Sequence, residues 1–457
     1  MPKLPGGHAV VVGAGIAGLA AAQAASGYFD KITVLDRDML PQGPEPRAGT
    51  PQARHGHALL GAGQASLAKL FPDFAKEIES AGAVKARSGF DIWMERPGFD
   101  PFPVRDLGFD SYCLSRPLLE FVIRRCLERK SKVSLHQRCR VTELLASSNG
   151  AAVVGLRFED ANGLAQTLMA DLIIDASGRG TLTLDLLARA GCSTPQETEI
   201  GIDIGYATAV FEVPKDRPGP WKGLMHLGMP PDCGRGGLIL PMENNQWMVS
   251  LGGVHGDVPP GDIDGYMRFA QSLRTPTIYK AIRSARRVRD VARYGFPSSI
   301  RRHFEHLPAF PDGVIPIGDA ICRFNPVFGQ GMSVAAQEAC ALRDLLNERT
   351  EMPDPLKGLA SAFFTRIQPL LDAPWRTAEN DFAFPQTRGE RPADFERRLQ
   401  YGAALLRIAA EDPTVHRLMA EVNGLLKPPG VLREPALAER VMALMKAAAA
   451  PCRPENC

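Results

Sequence analysis

The strongest constraint on this chain's fold is a strand, glycine turn, helix and second strand packed between Ala9 and Asp36. Ala9-Val10-Val11-Val12 is fully apolar and reads as a buried parallel strand. It feeds Gly13-Ala14-Gly15-Ile16-Ala17-Gly18, an alanine-rich helix to about Ser26, and the strand Lys31–Leu35, which ends at Asp36. Gly13 permits the tight turn, Gly15 lets backbone approach a pyrophosphate, and Gly18 lets helix and strand pack closely. The helix start offers free N–H groups to phosphates, and the Asp36 carboxylate can accept from ribose hydroxyls. Strand, helix and acid all sit where dinucleotide binding needs them. A second glycine cluster, Gly61-Ala62-Gly63-Gln64-Ala65-Ser66, lacks the third glycine and an acid-ended strand, so it reads as a helix start.

The 457 residues suggest roughly two to three domain-sized units. With 45% hydrophobic and 23% charged residues, a disordered or fibrous chain is excluded. A formal charge of +2 gives no global case for nucleic acid or anionic membrane as partner. The nine cysteines are scattered without a Cys-x-x-Cys pair, so neither a disulfide framework nor a zinc site is indicated. Met1–His8 has no apolar core of a signal peptide, and no run approaches the ~20 apolar residues of a transmembrane segment. A soluble, cytoplasmic protein with free thiols is expected.

Further along, residues 41–63 form a Pro-, Gly-, Arg- and His-rich loop, and Ser115 is an N-cap for a helix through Arg129. Asn149-Gly150 and Asn162-Gly163 mark two hairpins. The apolar strand Asp171–Asp175 closes on Ala176-Ser177-Gly178-Arg179-Gly180. Long strands without intervening helix, Ile200–Val213, Gly223–Met229, Gly237–Met242 and Gln246–Gly253, predict an antiparallel sheet. Helical patterns run between Ile263 and Arg289, and a buried strand Val314–Ile317 ends at Gly318-Asp319. From Gly331 onward the pattern is helical, with breaks at Pro353, Pro374, Pro413 and Pro428. The predicted fold class is α/β: a Rossmann-like dinucleotide-binding domain in residues 1–195, a separate antiparallel-sheet domain in 196–287, a completing part of the first domain in 288–350, and a helical region in 351–457.

Three motifs occur in one order: the G-x-G-x-x-G turn, Asp175-Ala176-Ser177-Gly178, and Gly318-Asp319-Ala320 followed by Asn325-Pro326-Val327-Phe328-Gly329-Gln330-Gly331. Together they resemble the single-component FAD-dependent monooxygenases of the aromatic-hydroxylase group, across roughly residues 8–346. Within that group, Arg47–His57 and Glu199–Val210 are similar to bacterial polyether-type flavin epoxidases. The resemblance implies FAD as cofactor, held by Gly13, Gly15, Ile16, Ala17, Gly18, Asp36, Arg37, Arg47, Arg116, Asp175, Gly318, Asp319, Pro326, Gly329, Gln330, Gly331 and Met332. A carboxylate after a Gly-Asp strand end suits the ribityl hydroxyls. The helix starting at Gly331 turns its N–H groups toward the flavin edge that gains charge on reduction. Two departures stand out. Cys322 occupies the position of the usual histidine, and Asp175-Ala176 replaces the frequent Asp-Gly, which leaves the electron donor open.

The reaction so implied transfers one oxygen atom of dioxygen to a hydrophobic small molecule through a flavin hydroperoxide. NAD(P)H is the expected donor, with a separate flavin reductase as the alternative. The cofactor carries the hard step, so the sequence names no catalytic side chain. His55, His57, Tyr206, Met225, Leu227 and Trp247 are candidate substrate-pocket residues, and alternation lets about half of the strand residues face it. No metal is expected, because His55-x-His57 lacks a third ligand. The cluster Arg283, Arg286, Arg287, Arg289 and Arg293 reads as a solvated helix face rather than an NADPH phosphate site. Epoxidation of an alkene is favoured over hydroxylation of a phenol, since no ring-deprotonating base is identifiable. The rivals are an aromatic hydroxylase, an oxygen-independent reductase of a prenyl lipid, a flavin protein without turnover, and a halogenase. The last lacks its Trp-x-Trp-x-Ile-Pro segment here.

Overall fold

The structure is a computed structural model that describes residues 7–217 and 219–449. Cys452, Cys457 and the segment Met1–Gly6 lie outside the described residues. A five-stranded parallel sheet has the order Val314–Pro316, Leu172–Asp175, His8–Val12, Lys31–Leu35, Val133–His136. Its central strands are buried on both faces, as continuous apolar runs require. The helix Ile16–Ala25 lies on it with Ala20, Ala21, Ala22, Ala24 and Ala25 almost wholly buried. Those small side chains let the long helix Gly331–Glu348 pack closely against its outer side.

The strands Glu197–Glu212, Gly223–His226, Gly236–Met242 and Gln246–Val254 join Ile92–Glu95, Arg287–Arg302 and Cys322–Arg323 in a seven-stranded sheet. The pairing is antiparallel except between Gly223–His226 and Ile92–Glu95. Here the helical reading between Ile263 and Arg289 is corrected. Helices cover Ile263–Gln271 and Thr277–Ile282, but Arg287–Arg302 is a strand. Its pairing with Glu197–Glu212 from Arg302 to Arg287 overrides the local arginine-rich pattern. Arg287, Arg289 and Arg293 are therefore strand residues, and the stretch 288–302 hydrogen-bonds into the antiparallel sheet rather than the parallel one. The two Asn-Gly hairpins form a separate three-stranded sheet. Gly61 does open a helix, Gly61–Leu70.

Alternation gives the large sheet two unlike faces. One carries Ala207, Phe211, Leu224, Trp247, Val249 and Leu251 against Tyr266, Phe269 and Ile278 of the covering helices. The other carries Tyr206, Thr208, Ser250, Leu238 and Met225 in the pairing register.

In the C-terminal third the expected break at Pro374 is also corrected. Leu359–Ala378 is one helix that contains both Pro369 and Pro374. Leu359, Phe363, Ile367, Leu371 and Trp375 recur every four residues and are all buried in the main core, which holds the helix together through its prolines. The remaining helices, Phe395–Glu411, Pro413–Asn423 and Pro435–Ala449, gather Leu405, Ile408, Val415 and Val441 around Phe102 in a cluster of their own. Among the described residues no helix is long and apolar enough to cross a membrane.

Candidate active site

Where the parallel strands end, a cavity of about 560 Å³ runs between the glycine turn and the start of the Gly331–Glu348 helix. Of the residues singled out in the sequence, Gly13, Gly15, Ile16, Ala17, Asp36, Arg37, Arg47, His57, Arg116, Gly318, Asp319, Pro326, Gly329, Gln330, Gly331 and Met332 line it. Motifs more than 300 residues apart thus converge on one space because the sheet order places their strands side by side.

The glycines divide into two kinds. A Cβ on Gly18 would lie 1.8 Å from the Gly13 carbonyl oxygen, so this position is closed by protein. A Cβ on Gly15 would meet nothing nearer than the guanidinium nitrogens of Arg47 at 3.8 Å and Arg116 at 4.0 Å. Gly15 therefore faces the cavity, between two arginines, at a helix N-terminus: an anion site. Gly13 takes φ +103°, a conformation that favours glycine, with its Cβ direction blocked by the Ala176 carbonyl at 2.5 Å.

A charge network fixes this end. Ala14 N–H donates to Asp36 Oδ2 at 2.6 Å and Asp38 N–H to Asp36 Oδ1 at 2.8 Å. Arg47 bridges Asp36, Asp38 and Glu120, and Glu120 also accepts from Arg116 Nε at 2.9 Å. At the other end Asp319 opens into the cavity yet is surrounded by protein. Burial raises its carboxyl above the usual range, while Arg116, Arg323 and Arg302 draw it back. Gln330 Oε1 is buried in the wall with no hydrogen-bond partner among the described residues, an acceptor left for a ligand's donor.

Other positions fall elsewhere. Asp175 stands behind its turn, buried, accepting from Ser177 N–H, Thr183 N–H and Thr183 Oγ1, and so braces the turn. Trp247 is corrected as a pocket candidate: it lies on the helix-covered face, stacked on Trp221 with ring centres 5.2 Å apart, and its indole N–H donates to the Lys222 carbonyl. Tyr206 and Met225 are on the opposite face, and Leu227 follows the strand Gly223–His226. His55 sits against that face with Nδ1 2.8 Å from Thr208 Oγ1, which is 2.7 Å from Ser250 Oγ. Tyr206 meets the His55 ring edge-on at 4.8 Å. Burial drives His55 down to about 4, helped by Arg54, and His57 down to about 3, helped by Arg116. Both imidazoles are neutral at pH 7. Cys322 is packed in the core, where burial holds its thiol well above the ordinary range.

Several residues escaped the sequence reading. Arg140, Thr142, Arg179 and Asp185 line one end of the cavity; Tyr294, Phe296 and Arg323 line the other. Asn325 precedes the Pro326 loop and donates through Nδ2 to both oxygens of buried Asp381, at 3.0 and 3.2 Å. Glu338 is fully buried, accepts from Gly318 N–H at 2.7 Å, and is pushed up to about 8 by burial. His303, Glu305 and His306 could reach one cation, but the two imidazoles lie parallel at 5.2 Å and Glu305 pairs with Arg301.

Comparison with known proteins agrees with this geometry. Residues 9–222 match the family model described as FAD dependent oxidoreductase. The chain is 34% identical over 354 residues, 76% of its length and 74% of the relative's, to Protein Rv3254 of Mycobacterium tuberculosis. Among solved structures it is similar to p-nitrophenol 4-monooxygenase PnpA from Pseudomonas putida DLL-E4, with TM-score 0.65 and 18% identity over 93% of this chain and 99% of that one. It is also similar to the flavin-dependent brominase Bmp2, with TM-score 0.66 and 16% identity over 96% of this chain and 99% of that one. At such identities the structural likeness shows the fold, and the sequence relationships, joined to a cavity built on the dinucleotide turn, show that the chain belongs to the FAD-dependent oxidoreductases.

Proposed function

We propose that this oxidoreductase is a monooxygenase that adds one atom of dioxygen to a hydrophobic substrate, by epoxidation of an alkene. The observation that carries this reading is the junction at His57 and Tyr294. There Tyr294 of the cavity wall meets Tyr206, ring centres 5.5 Å apart, on a sheet face that also carries Leu238 and Met225, and the two neighbouring imidazoles, His55 and His57, are uncharged. The chain's residues fit FAD: an anion site at Gly15 between Arg47 and Arg116, a carboxylate at each end in Asp36 and Asp319, and an unpartnered acceptor on Gln330. Bound and reduced, FAD supplies the activation of dioxygen.

The protein's share is positioning and exclusion of water. Thr208 and Ser250 hold His55 in place, and the His57 imidazole faces the cavity uncharged. Imidazoles with pKa values of about 3 and 4 take a proton from a phenol poorly, which disfavours electrophilic ring hydroxylation. Tyr206 has its hydroxyl pKa raised by burial and stays protonated. An alkene needs no such base, only an apolar pocket beside the cofactor. NAD(P)H is the proposed donor; a separate flavin reductase is the alternative.

The test offers the reduced holoprotein and oxygen a hydrophobic polyene and, separately, a polyketide phenol, with products analysed by mass and NMR. Mono-oxygenated polyene is the expected result. Efficient phenol hydroxylation with untouched polyene would replace epoxidation by hydroxylation, and substrate reduction without oxygen uptake would sink the monooxygenase reading altogether.

A further inference from the structure

Behind the Gly318–Asp319 strand end lies a carboxyl group that does not line the cofactor cavity. Glu338 projects from the Gly331–Glu348 helix, is wholly buried, and accepts from the Gly318 N–H through Oε2 at 2.7 Å. Its Oε1 is also buried and has no hydrogen-bond partner among the described residues. Gly318 takes φ +67°, and a Cβ there would come within 3.0 Å of the Ala17 Cβ. The turn is therefore left-handed and packed against the Ile16–Ala25 helix. The next residue, Asp319, opens into the cavity beside the start of Glu338's own helix. Its Oδ1 lies 3.9 Å from where a Cβ of Gly331 would stand. Arg302 holds the far side of the turn by donating to the Ala320 carbonyl at 3.0 Å.

One turn thus carries two carboxyl groups, and like charges in a buried setting resist ionising together. Three guanidiniums, those of Arg116, Arg323 and Arg302, favour the charged form of Asp319. Among the described residues no cationic side chain opposes the burial of Glu338. Burial pushes its carboxyl up to about 8, with the Gly318 N–H drawing it down and the Asp319 charge adding to the rise. Cys322, the other titratable group in reach, is itself kept protonated by burial. At neutral pH the pair carries one charge, on the member that meets the ligand.

We propose that Glu338 is a positioning residue for FAD: through the Gly318 N–H it fixes the turn that presents Asp319, and its proton leaves Asp319 as the single carboxylate at that end of the cofactor. Once ionised, Glu338 adds a second negative charge next to a ligand that is already anionic and gains charge on reduction. The protonated form is the one that binds. FAD affinity is therefore highest below about pH 8 and falls as pH rises through it. The inference concerns cofactor binding and stands whether or not the reaction is a monooxygenation.

The experiment titrates full-length apoprotein with FAD by calorimetry from about pH 6.5 to about pH 9, a range that brackets the Glu338 titration. Wild type is compared with Glu338→Gln and Glu338→Ala. Gln keeps an oxygen for the Gly318 N–H and cannot ionise, so it stands in for the protonated form. Across the range the wild-type Kd for FAD should rise at least about threefold more than that of the Gln variant. Glu338→Ala leaves a buried N–H without its acceptor and should weaken FAD binding at least about tenfold at the acid end. Titrations common to all three proteins, Asp381 among them, cancel in the comparison. The apoprotein Tm of each variant reads any folding defect separately. The flavin midpoint potential gives a second readout and should fall more steeply with pH above about 8 in wild type than in Glu338→Gln. Glu338 as mere core support predicts a lower Tm in both variants and parallel pH dependences of Kd and potential. Parallel curves, or a smaller effect in either binding comparison, would overturn the proposal. If the Ala variant does not fold, the wild-type and Gln curves alone decide it.

Discussion

The cavity at the ends of the parallel strands is lined by glycine turns, strand ends and a helix start, with arginines reaching in from around them. The sheet face from Thr208 through Ser250 and Leu238 to Met225 is built instead from side chains on four strands. At the cavity almost any added atom collides or fills ligand space: Gly18 touches Gly13, and Gly15 opens between two arginines. Along that face a methionine or leucine can be exchanged for another apolar side chain without disturbing the strand that carries it. The first region is therefore fixed by the close approach of backbone, while the second tolerates exchanges of side chain.

The largest expected effect removes the support both regions share. Truncation after Met352 deletes Leu359, Phe363, Ile367, Leu371 and Trp375, which are buried in the same core as the strands beneath the cavity. Insoluble or flavin-free protein is expected in expression and absorbance assays. A soluble truncation that retains FAD and activity would show that the helical region is an accessory layer.

Next come the two glycines. Gly18→Ala puts a methyl into a carbonyl and should unfold the turn, giving poorly soluble protein. Gly15→Val should leave the apoprotein's Tm nearly unchanged and lower FAD occupancy at least about tenfold, since its side chain occupies ligand space rather than protein space. If both variants lose stability equally, the division into closed and open glycines is wrong.

The sheet's faces can be broken against each other in the same way. Trp247→Ala should cost about 3–5 kcal/mol in denaturant unfolding, because it empties a site stacked on Trp221. Turnover per folded molecule should change little. Met225→Trp should do the opposite, leaving unfolding nearly unchanged while raising KM by taking space on the face proposed to meet the substrate. A loss of substrate discrimination in the Trp247 variant would place the pocket on the wrong face.

These contrasts also explain what could be read from the sequence. The glycine turn, Asp36, Gly318-Asp319 and the Gly329–Gly331 helix start were legible because backbone geometry and charge demand particular residue types at fixed spacing. Trp247 was misassigned because alternation tells which residues share a face, not which face meets the cofactor. Asp175 is a cofactor residue by resemblance, while the structure shows its carboxylate accepting from Ser177 in its own turn and from Thr183 in the helix that follows. The strand Arg287–Arg302 was hidden by a local pattern that long-range pairing overrode.

The smallest effect concerns the contact that ties the C-terminal region to the cavity. Asp381 accepts two hydrogen bonds from Asn325, whose Oδ1 in turn accepts from Val327 N–H in the loop that carries Pro326. Burial pushes the Asp381 carboxyl from 3.8 up to about 7, with Asn325 opposing the shift. A carboxyl whose folded pKa lies above its unfolded one binds more protons in the native state. Its stabilising contribution is therefore complete below about pH 4 and is lost as pH rises to about 7. Asp381→Asn keeps the shape without the titration. The Tm of the variant relative to wild type should climb between pH 5 and about pH 7 and level off above it. Glu338, pushed up to about 8, titrates in both proteins and drops out of the difference. Parallel Tm curves across this range would show that Asp381 titrates near its ordinary value and that the Asn325 contact stays intact at every pH tested. A difference that rises as described would identify this contact as the place where protonation in the helical region loosens or tightens the Pro326 loop.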